Sequence, residues 1–457
     1  MKNGLKTIFV TVDLGISIRN ILRTDVFLRL KERKDLRIVI FSTIVDKDFR
    51  EEFSADNVVI EPMPKWHPNV LVKLIQSMKK ELWAENCGIF TYQNRRKKKN
   101  RRITRKLIID PLRNLNHGQK ILQLIHFLNV AETRFTPLLD HDLFERYAPD
   151  LVFCTTLYTK YLSLQIGAQQ RRVKTLSFIQ SWDNPTSKGP FPVIPDRVIV
   201  WNEILRQEVL RYHDFPAEKI YLSGVPQFDI YLDKNNFLCK RDFFRKWKLD
   251  TDRCLITYTT GSSNMLPNEH EVIQQLYERV AGNKLISPAQ LLVRPHPKDL
   301  FDYENHFRDC TLMTIQRPGP FAQTKDRWNP KREDMYGLAE LMCYSDVVVN
   351  VASTITIDAV CFDTPVVNVA FDGYARLEYM DSCRRYYDYD HYKNIIKTNG
   401  VKVANSVEEL TDYINSYLRD PELDGIGRRK IREEQCWKLD GKSGERIANY
   451  ILKYLDE

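Results

Sequence analysis

Short apolar runs punctuate this chain at regular intervals, and the stretches between them place apolar residues three and four apart. The runs at 7–12, 36–41, 57–60, 151–154, 174–179 and 197–200 are apolar on both faces of an extended chain, the pattern of strands covered on two sides. Helical spacing lies between them, notably at 68–85 and over a long stretch, 119–147. Alternation of this kind predicts a parallel sheet. A last strand at 219–224 ends in Gly224-Val225-Pro226 and gives way to polar sequence through Asn236, where a domain boundary is expected. The pattern then restarts, with strands at 254–259, 290–293, 310–314, 347–351, 365–369 and 400–403 and helices at 269–280, 333–343, 355–362 and 407–418. The expected fold is α/β: two doubly wound, Rossmann-like domains, residues 1–235 and 236–430, facing across a cleft. Residues 431–457 are expected to carry a closing helix, 444–454, back onto the first domain.

Length agrees with this division, since 457 residues exceed what one core holds. With 43% hydrophobic and 28% charged residues the composition is that of a globular protein. The formal charge of +9 is local: residues 95–106 carry nine basic side chains and no acid, leaving the remainder neutral. Nothing around this block resembles a nucleic-acid-binding module, so an anionic membrane surface met through Arg95 to Lys106 is the expected partner and nucleic acid is not. Nine scattered cysteines without a C-x-x-C pair point to reduced thiols and a cytoplasmic setting. The first residues read as a strand, not a signal peptide, and no apolar run reaches the eighteen or so residues that span a bilayer. A membrane role would be peripheral, at the inner face.

Candidate chemistry gathers where strands end, because open α/β sheets bind ligands beyond the carboxyl ends of their strands. After the strand near 347–351 come Ser353, Thr354 and Thr356 in the first turn of a helix, donors suited to phosphate. Asp358 follows Thr354 by four residues, on the same helix face, about 6 Å along, where a ribose hydroxyl pair would fit. The strand at 290–293 runs into Arg294-Pro295-His296-Pro297-Lys298, whose prolines hold three basic side chains in an extended loop. Gly261 and Ser262, after the strand at 254–259, form the lip of the same site.

In the first domain Asp13 ends a buried strand, Gly15 permits close backbone approach, and Arg19 suits a phosphate or carboxylate. The loop Gln180 to Gly189 is dense in groups that bind sugars and anions: Trp182 offers a stacking face, Asp183 a general base, and Asn184 and Lys188 further polar contacts. Asp183 is equally suited to cap its own loop through an Asx-turn, and Asp13 to cap the helix near Ser17. No Gly-x-Gly-x-x-Gly follows the first strand and no Walker sequence occurs, which disfavours dinucleotide oxidoreduction and P-loop hydrolysis.

Taken in order, Gly261-Ser262, Arg294-Pro295-His296-Pro297, Ser345-Asp346, Ser353-Thr354, Asp358-Ala359 and Thr364-Pro365-Val366-Val367 resemble the second-domain signature of GT-B enzymes of surface-polymer synthesis. The likeness is to the CDP-glycerol glycerophosphotransferase-like and capsular polysaccharide glycosyltransferase groups, and Asp440 to Ile447 resembles their closing helix. It covers 254–457 well and the first domain only in outline. The resemblance implies His296 near a donor diphosphate, Ser353 and Thr354 on phosphate, and Asp358 at the ribose. GT-B enzymes generally need no bound metal, so neither metal nor cofactor is assigned. One departure stands out: the glycerophosphotransferases usually carry a His-Gly-Thr type loop where this chain has Ser181-Trp182-Asp183-Asn184, which favours a sugar over glycerol phosphate as the transferred group. The expected function is transfer of a sugar from a nucleotide-activated donor to a surface saccharide or lipid-linked acceptor, with Asp183, or else Asp13, as base. The alternatives are glycerol phosphate transfer, nucleotide-sugar 2-epimerisation and a non-catalytic anionic-polymer-binding protein.

Overall fold

Among the described residues, thirteen strands form two separate parallel sheets. A computed structural model describes residues 5–97, 119–263, 266–319 and 328–457. Contacts divide the chain into two units, Met1–Pro226 with Lys442–Glu457, and Gln227–Gly441.

In the first unit β1 (Lys6–Val12), β2 (Leu36–Ser42), β3 (Val58–Pro62), β4 (Leu151–Cys154), β5 (Lys174–Phe178), β6 (Arg197–Val200) and β7 (Ile220–Leu222) lie in the order β3-β2-β1-β4-β5-β6-β7. Order reverses between β1 and β4, which pair in parallel through Ile8 to Leu151 and Thr11 to Cys154. Ile8, Phe9, Val39 and Phe153 are fully buried, as strands with helices on both faces require. Phe9 packs edge-on to Phe41 with ring centroids 4.8 Å apart.

The expected helix 119–147 is two helices, Gln119–Phe135 and His141–Tyr147. Pro137 disfavours helical backbone before it, and Asp140 adopts a left-handed φ of 50°. The expected helix 68–85 runs instead over Val70–Cys87. Asn69 caps it, its Oδ1 accepting from the Val72 amide at 2.9 Å, and Gly88 at φ 61° ends it. The cationic block, residues 95–106, lies outside the described residues beyond Lys97. Arg95, in the helix Phe90–Lys97, is 3.8 Å from Asp183.

The second unit repeats the architecture. Its strands β8 (Cys254–Thr259), β9 (Ala289–Arg294), β10 (Met313–Ile315), β11 (Val347–Asn350), β12 (Val366–Val369) and β13 (Lys402–Ala404) lie in the order β10-β9-β8-β11-β12-β13. The reversal falls between β8 and β11, paired from Ile256 opposite Val347 to Thr259 opposite Asn350. Helices Glu269–Ala281, Arg332–Tyr344 and Val407–Arg419 accompany the strands.

The division of the chain falls after Pro226 rather than 235, and its return begins at Lys442 rather than 431. Residues 430 and 431 lie inside a helix, Gly425–Cys436, that the apolar spacing does not predict. That helix belongs to the second unit. The buried Arg428 guanidinium donates to the Pro421 and Leu423 carbonyls at 2.7 and 2.5 Å and to Asp363 at 3.0 Å. Gly427 passes so close to Gly400 that a Cβ there would lie 2.5 Å from the Gly400 nitrogen. The last helix, Ser443–Asp456, is tied into the first unit. Arg446 Nε donates to the Ser223 carbonyl at 2.7 Å, and Lys6 and Arg33 pair with Asp456 at 2.7 and 2.8 Å.

Candidate functional site

In each unit the candidate residues lie at the carboxyl rim of the sheet, on both sides of the point where strand order reverses. Neighbouring strands whose connections leave in opposite directions open a crevice at that point.

In the second unit the rim is built from the ends of β8, β9, β11 and β12. The chain leaving β9 is fastened to the chain leaving β8: the His296 amide donates to Thr260 Oγ1 at 2.9 Å, and Thr260 Oγ1 donates to Asp299 Oδ2 at 3.0 Å. Tyr303 OH donates to the same carboxylate oxygen at 2.9 Å, and Asp299 is 1% exposed. The Arg294-Pro295-His296-Pro297-Lys298 loop is thus braced by the Thr260 hydroxyl and by Asp299, an acid that no sequence expectation singles out. An acid following a basic loop by one residue was the available signal.

The brace fixes the chemical state of His296. Its Nδ1 accepts from the Lys298 amide at 3.0 Å, so the ring proton is on Nε2. Burial, with Lys298 beside it, pushes its pKa down to about 4. At neutral pH His296 is therefore an uncharged donor, not the cation that an exposed basic loop implied. Arg294 supplies the charge. Its guanidinium is buried, donates to Gln316 Oε1 at 2.6 Å, and has the carboxylates of Asp334 and Asp358 and the Tyr231 phenol within its electrostatic surroundings. Burial lowers its pKa to about 10, which still leaves it protonated at pH 7.

Across the reversal, β11 enters the helix Ile355–Val360 through Ala352 at φ 38°, a left-handed conformation that costs a residue with a Cβ about 1–3 kcal/mol. Asn350 holds the turn: its Oδ1 accepts from the Ser353 amide at 3.2 Å and from Thr356 Oγ1 at 3.3 Å. Asn368 and Tyr392 complete a buried polar cluster around Thr356, with Tyr392 OH donating to Asn368 Oδ1 at 2.5 Å. Thr356 therefore belongs to the scaffold, while Ser353 and Thr354 stay partly exposed at the rim. Ser353 Oγ accepts from the Ile355 amide at 3.3 Å. Asp358, expected at a ribose, is 3% exposed and accepts from Tyr231 OH at 2.5 Å, tethering the segment Pro226–Leu232 to this helix. It shares a neighbourhood with Arg294 through that field of charges.

Gly261 and Ser262 lie at the β8 end of the rim, both partly exposed. Glu269 stands under them. Its Oε2 accepts from the Gly261 amide at 2.7 Å and its Oε1 from Tyr258 OH at 3.2 Å, while burial drives its carboxyl pKa up to about 8.

In the first unit the two candidate loops meet. Gln180 Nε2 donates to Ser17 Oγ at 2.8 Å, and Ser17 donates to Asp13 Oδ1 at 3.3 Å. Asp13 also accepts from Thr159 Oγ1 at 2.5 Å, so the ends of β1, β4 and β5 share one buried carboxylate. Arg19 lies in a π-helical turn, Ile18–Leu22, where Arg23 N donates five residues back to the Ile18 carbonyl at 3.0 Å. Its Nε donates to Asn20 Oδ1 at 3.0 Å.

Asp183 is heavily engaged. It accepts from Ser181 Oγ and Ser187 Oγ at 2.6 Å each and from Asn184 Nδ2 at 3.2 Å, with Arg95 at 3.8 Å. These bonds shape the one-turn helix Asn184–Ser187. Trp182 and Asn184 are 6% exposed, so neither presents the open stacking or hydrogen-bonding face expected of it, because the loop folds inward around the Asp183 carboxylate. Lys188 alone of this group is exposed.

The fold is shared with solved structures across nearly the whole chain. UDP-GlcNAc 2-epimerase of Neisseria meningitidis bound to UDP-GlcNAc superposes with a TM-score of 0.53 at 12% identity, covering 98% of this chain and 100% of that one. The Methanocaldococcus jannaschii UDP-GlcNAc 2-epimerase in complex with UDP-GlcNAc and UDP gives 0.51 at 14%, covering 98% and 99%. A glycosyltransferase of Rickettsia africae gives 0.50 at 13%, covering 98% and 99%. The architecture is the GT-B pairing of two Rossmann-like domains. No curated protein matches the chain in sequence. A family model, CDP-Glycerol:Poly(glycerophosphate) glycerophosphotransferase, matches residues 194–453. That match is more than half of the chain and takes in every rim residue of the second sheet, so the chain belongs to the CDP-glycerol:poly(glycerophosphate) glycerophosphotransferase family.

Proposed function

We propose that this protein transfers a phosphate-linked alcohol, of the glycerol phosphate class, from a cytidine-diphosphate-activated donor to a hydroxyl of a surface saccharide or lipid-linked acceptor. The observation that carries this reading is the presence of a buried Arg294, protonated at pH 7, and a neutral Nε2–H donor at His296, on the rim beside the strand reversal. A departing nucleotide gains negative charge as its bond breaks, and fixed donors in a dry site stabilise that charge best. Ser353, Thr354, Gly261 and Ser262 supply further polar contacts to the donor.

The acceptor hydroxyl loses a proton to a carboxylate. Asp13 and Asp183 are the candidates, and they differ in surroundings. Asp183 is bound by three local donors and serves its own loop, whereas Asp13 lies where three strands of the first unit end. Asn at the base position lowers turnover about 100- to 10,000-fold with donor binding retained. Asn at the other position changes stability or donor affinity instead.

A second reading, sugar transfer, is favoured by the Ser181-Trp182-Asp183-Asn184 loop, which lies outside the family match, and by the nucleotide-sugar ligand of the Neisseria and Methanocaldococcus neighbours. The released nucleotide separates the readings. Attack at the phosphorus bearing the alcohol releases a nucleoside monophosphate, attack at a sugar carbon releases a nucleoside diphosphate, and an epimerase converts its donor with no acceptor and no net release. Purified protein is incubated with CDP-glycerol or a panel of nucleotide sugars, with and without an acceptor saccharide. Acceptor-dependent CMP confirms phosphoryl-alcohol transfer; acceptor-dependent nucleoside diphosphate, or conversion of a nucleotide sugar alone, replaces it.

A further inference from the structure

We propose, resting on the reading of Arg294 as a phosphate contact of the donor, that Gln316 is its positioning residue: a neutral amide that aims the guanidinium at the phosphate without cancelling its charge. Gln316 belongs to none of the motifs that mark the rim in sequence. Its register reveals it.

At the carboxyl rim of the second sheet Arg294 stands opposite Thr259, Thr259 opposite Asn350, and Asn350 opposite Asn368. Ile315 pairs with Val293, which brings Gln316 beside Arg294 just past β10. One residue earlier the same five strands carry Ile315, Val293, Tyr258, Val349 and Val367. A mostly apolar layer is thus followed by a wholly polar one, and all five polar residues are buried. Residues in one register share a face of the sheet, so Gln316 and Arg294 are side-by-side neighbours there.

Gln316 is 0% exposed. Its backbone N–H donates to the Val293 carbonyl at 2.8 Å, which seats it, and its Oε1 accepts from Arg294 Nη1 at 2.6 Å. Its Nε2 has no partner among the described residues. A glutamate at this position would accept from the same nitrogen, leave no buried donor unmet and neutralise the guanidinium. For stability alone the acid is the better side chain, because an uncompensated buried charge and an unmet buried donor are both costly.

The amide leaves Arg294 charged and mostly unbonded. Among the described residues no carboxylate comes within ion-pair distance of it, and the bond to Gln316 is the one hydrogen bond its guanidinium makes. Arg428, buried in the same unit, is the contrast: the Asp363 carboxylate and the carbonyls of Pro421 and Leu423 all accept from it. That is an arginine used for structure. An arginine fixed on one edge by a neutral acceptor, with its other donors still to be met, is prepared for an anion.

Binding of CDP and of UDP is measured by calorimetry, and melting without nucleotide by circular dichroism, for the wild type, Gln316→Glu, Gln316→Met, Arg294→Met and the Arg294→Met, Gln316→Met double variant. Gln316→Glu should melt no lower than the wild type and above Gln316→Met. It should nevertheless bind the nucleotide at least about tenfold more weakly than the wild type, and more weakly than Gln316→Met, because the new carboxylate competes for the guanidinium. Gln316→Met, which removes the acceptor, should weaken binding roughly 2- to 12-fold in the wild type and less than about twofold when Arg294 is already methionine. Affinity that merely follows melting temperature across the two Gln316 variants, wild-type affinity in Gln316→Glu, or an equal loss from Gln316→Met in both backgrounds overturns the assignment while leaving the loss in Arg294→Met intact. Wild-type protein that binds neither nucleotide, or Arg294→Met that binds like the wild type, overturns instead the donor-site reading and the assignment with it. The order of the two Gln316 variants decides the matter even where Arg294→Met fails to fold.

Discussion

Glu269→Gln is predicted to stabilise the protein at alkaline pH and leave it unchanged at acid pH. Glu269 begins the helix Glu269–Ala281 and is 5% exposed. Its hydrogen bonds from Gly261 and Tyr258 favour the charged form, but burial outweighs them and Asp299 adds repulsion, so its pKa stands at about 8 against 4.5 for a free glutamate. A folded-state value raised in this way means that the folded protein keeps a proton which the unfolded chain has lost. Stability from this group is intact below pH 4.5, declines as pH rises, and is fully lost above 8. At about 1.4 kcal/mol per unit, the 2.5 units between 4.5 and pH 7 amount to roughly 3 kcal/mol, and the full interval to roughly 5 kcal/mol. Glutamine retains the oxygen that accepts from Gly261 and can place its amide toward the Tyr258 oxygen, so the hydrogen bonds survive without the titration. Melting of wild type and variant is followed from pH 5 to 9. Near-coincident curves at pH 5 should diverge to a gap of roughly 6–12 °C at pH 7 for a unit of this size. Other titrating groups move both proteins alike, so the gap isolates this carboxyl. Parallel pH profiles would refute the reasoning and return Glu269 to an ordinary ionised helix residue.

Two further outcomes follow from the same geometry. His296→Ala removes one neutral hydrogen bond, about 0.5–1.5 kcal/mol, hence roughly 2- to 12-fold in donor affinity by calorimetry, with the same ratio at pH 6 and pH 8. An affinity that rises on acidification in the wild type alone would mean that the imidazole binds as a cation. Glu132→Leu leaves Lys79, 3% exposed, without its carboxylate and should cost about 3–5 kcal/mol in urea unfolding, whereas Lys79→Met with Glu132→Leu returns close to wild type; equal losses in single and double variants would place the effect in packing rather than charge.

Most of the fold was legible because a strand buried on both faces writes itself as an uninterrupted apolar run. All thirteen strands lie at or within a few residues of such runs, and the weakest agreement is at β10, where expected 310–314 became Met313–Ile315 on a sheet edge. Boundaries failed where local backbone decides. The break at Pro137 and Asp140 was hidden by continuous helical spacing on both sides. The helix Gly425–Cys436 begins with Gly-Ile-Gly, a poor helical start, and is held instead by close passage of Gly427 over Gly400 and by Arg428. Such contacts join residues far apart in sequence and leave no periodic trace.

The candidate site was legible as a set of loops but not as a set of chemical states. Strand ends are predictable, and with them the rim that carries Arg294, His296, Ser353 and Thr354. Whether a side chain at the rim faces outward depends on what is free to bind it. Asp183 had Ser181, Asn184 and Ser187 within four residues, so its loop closed on itself and drew Trp182 and Asn184 inward. Asp358 met Tyr231, more than a hundred residues away, and became a tether. His296 lost its charge to the packing of a loop that looked exposed, with the Lys298 cation beside it, while a backbone amide two residues on fixed its tautomer. Polar residues near each other in sequence satisfy one another first. The groups left to meet a substrate are those whose local partners are apolar or backbone, and by that criterion Arg294 and the His296 Nε2–H, rather than the crowded loop at 180–189, are where the chemistry of this family member should be sought.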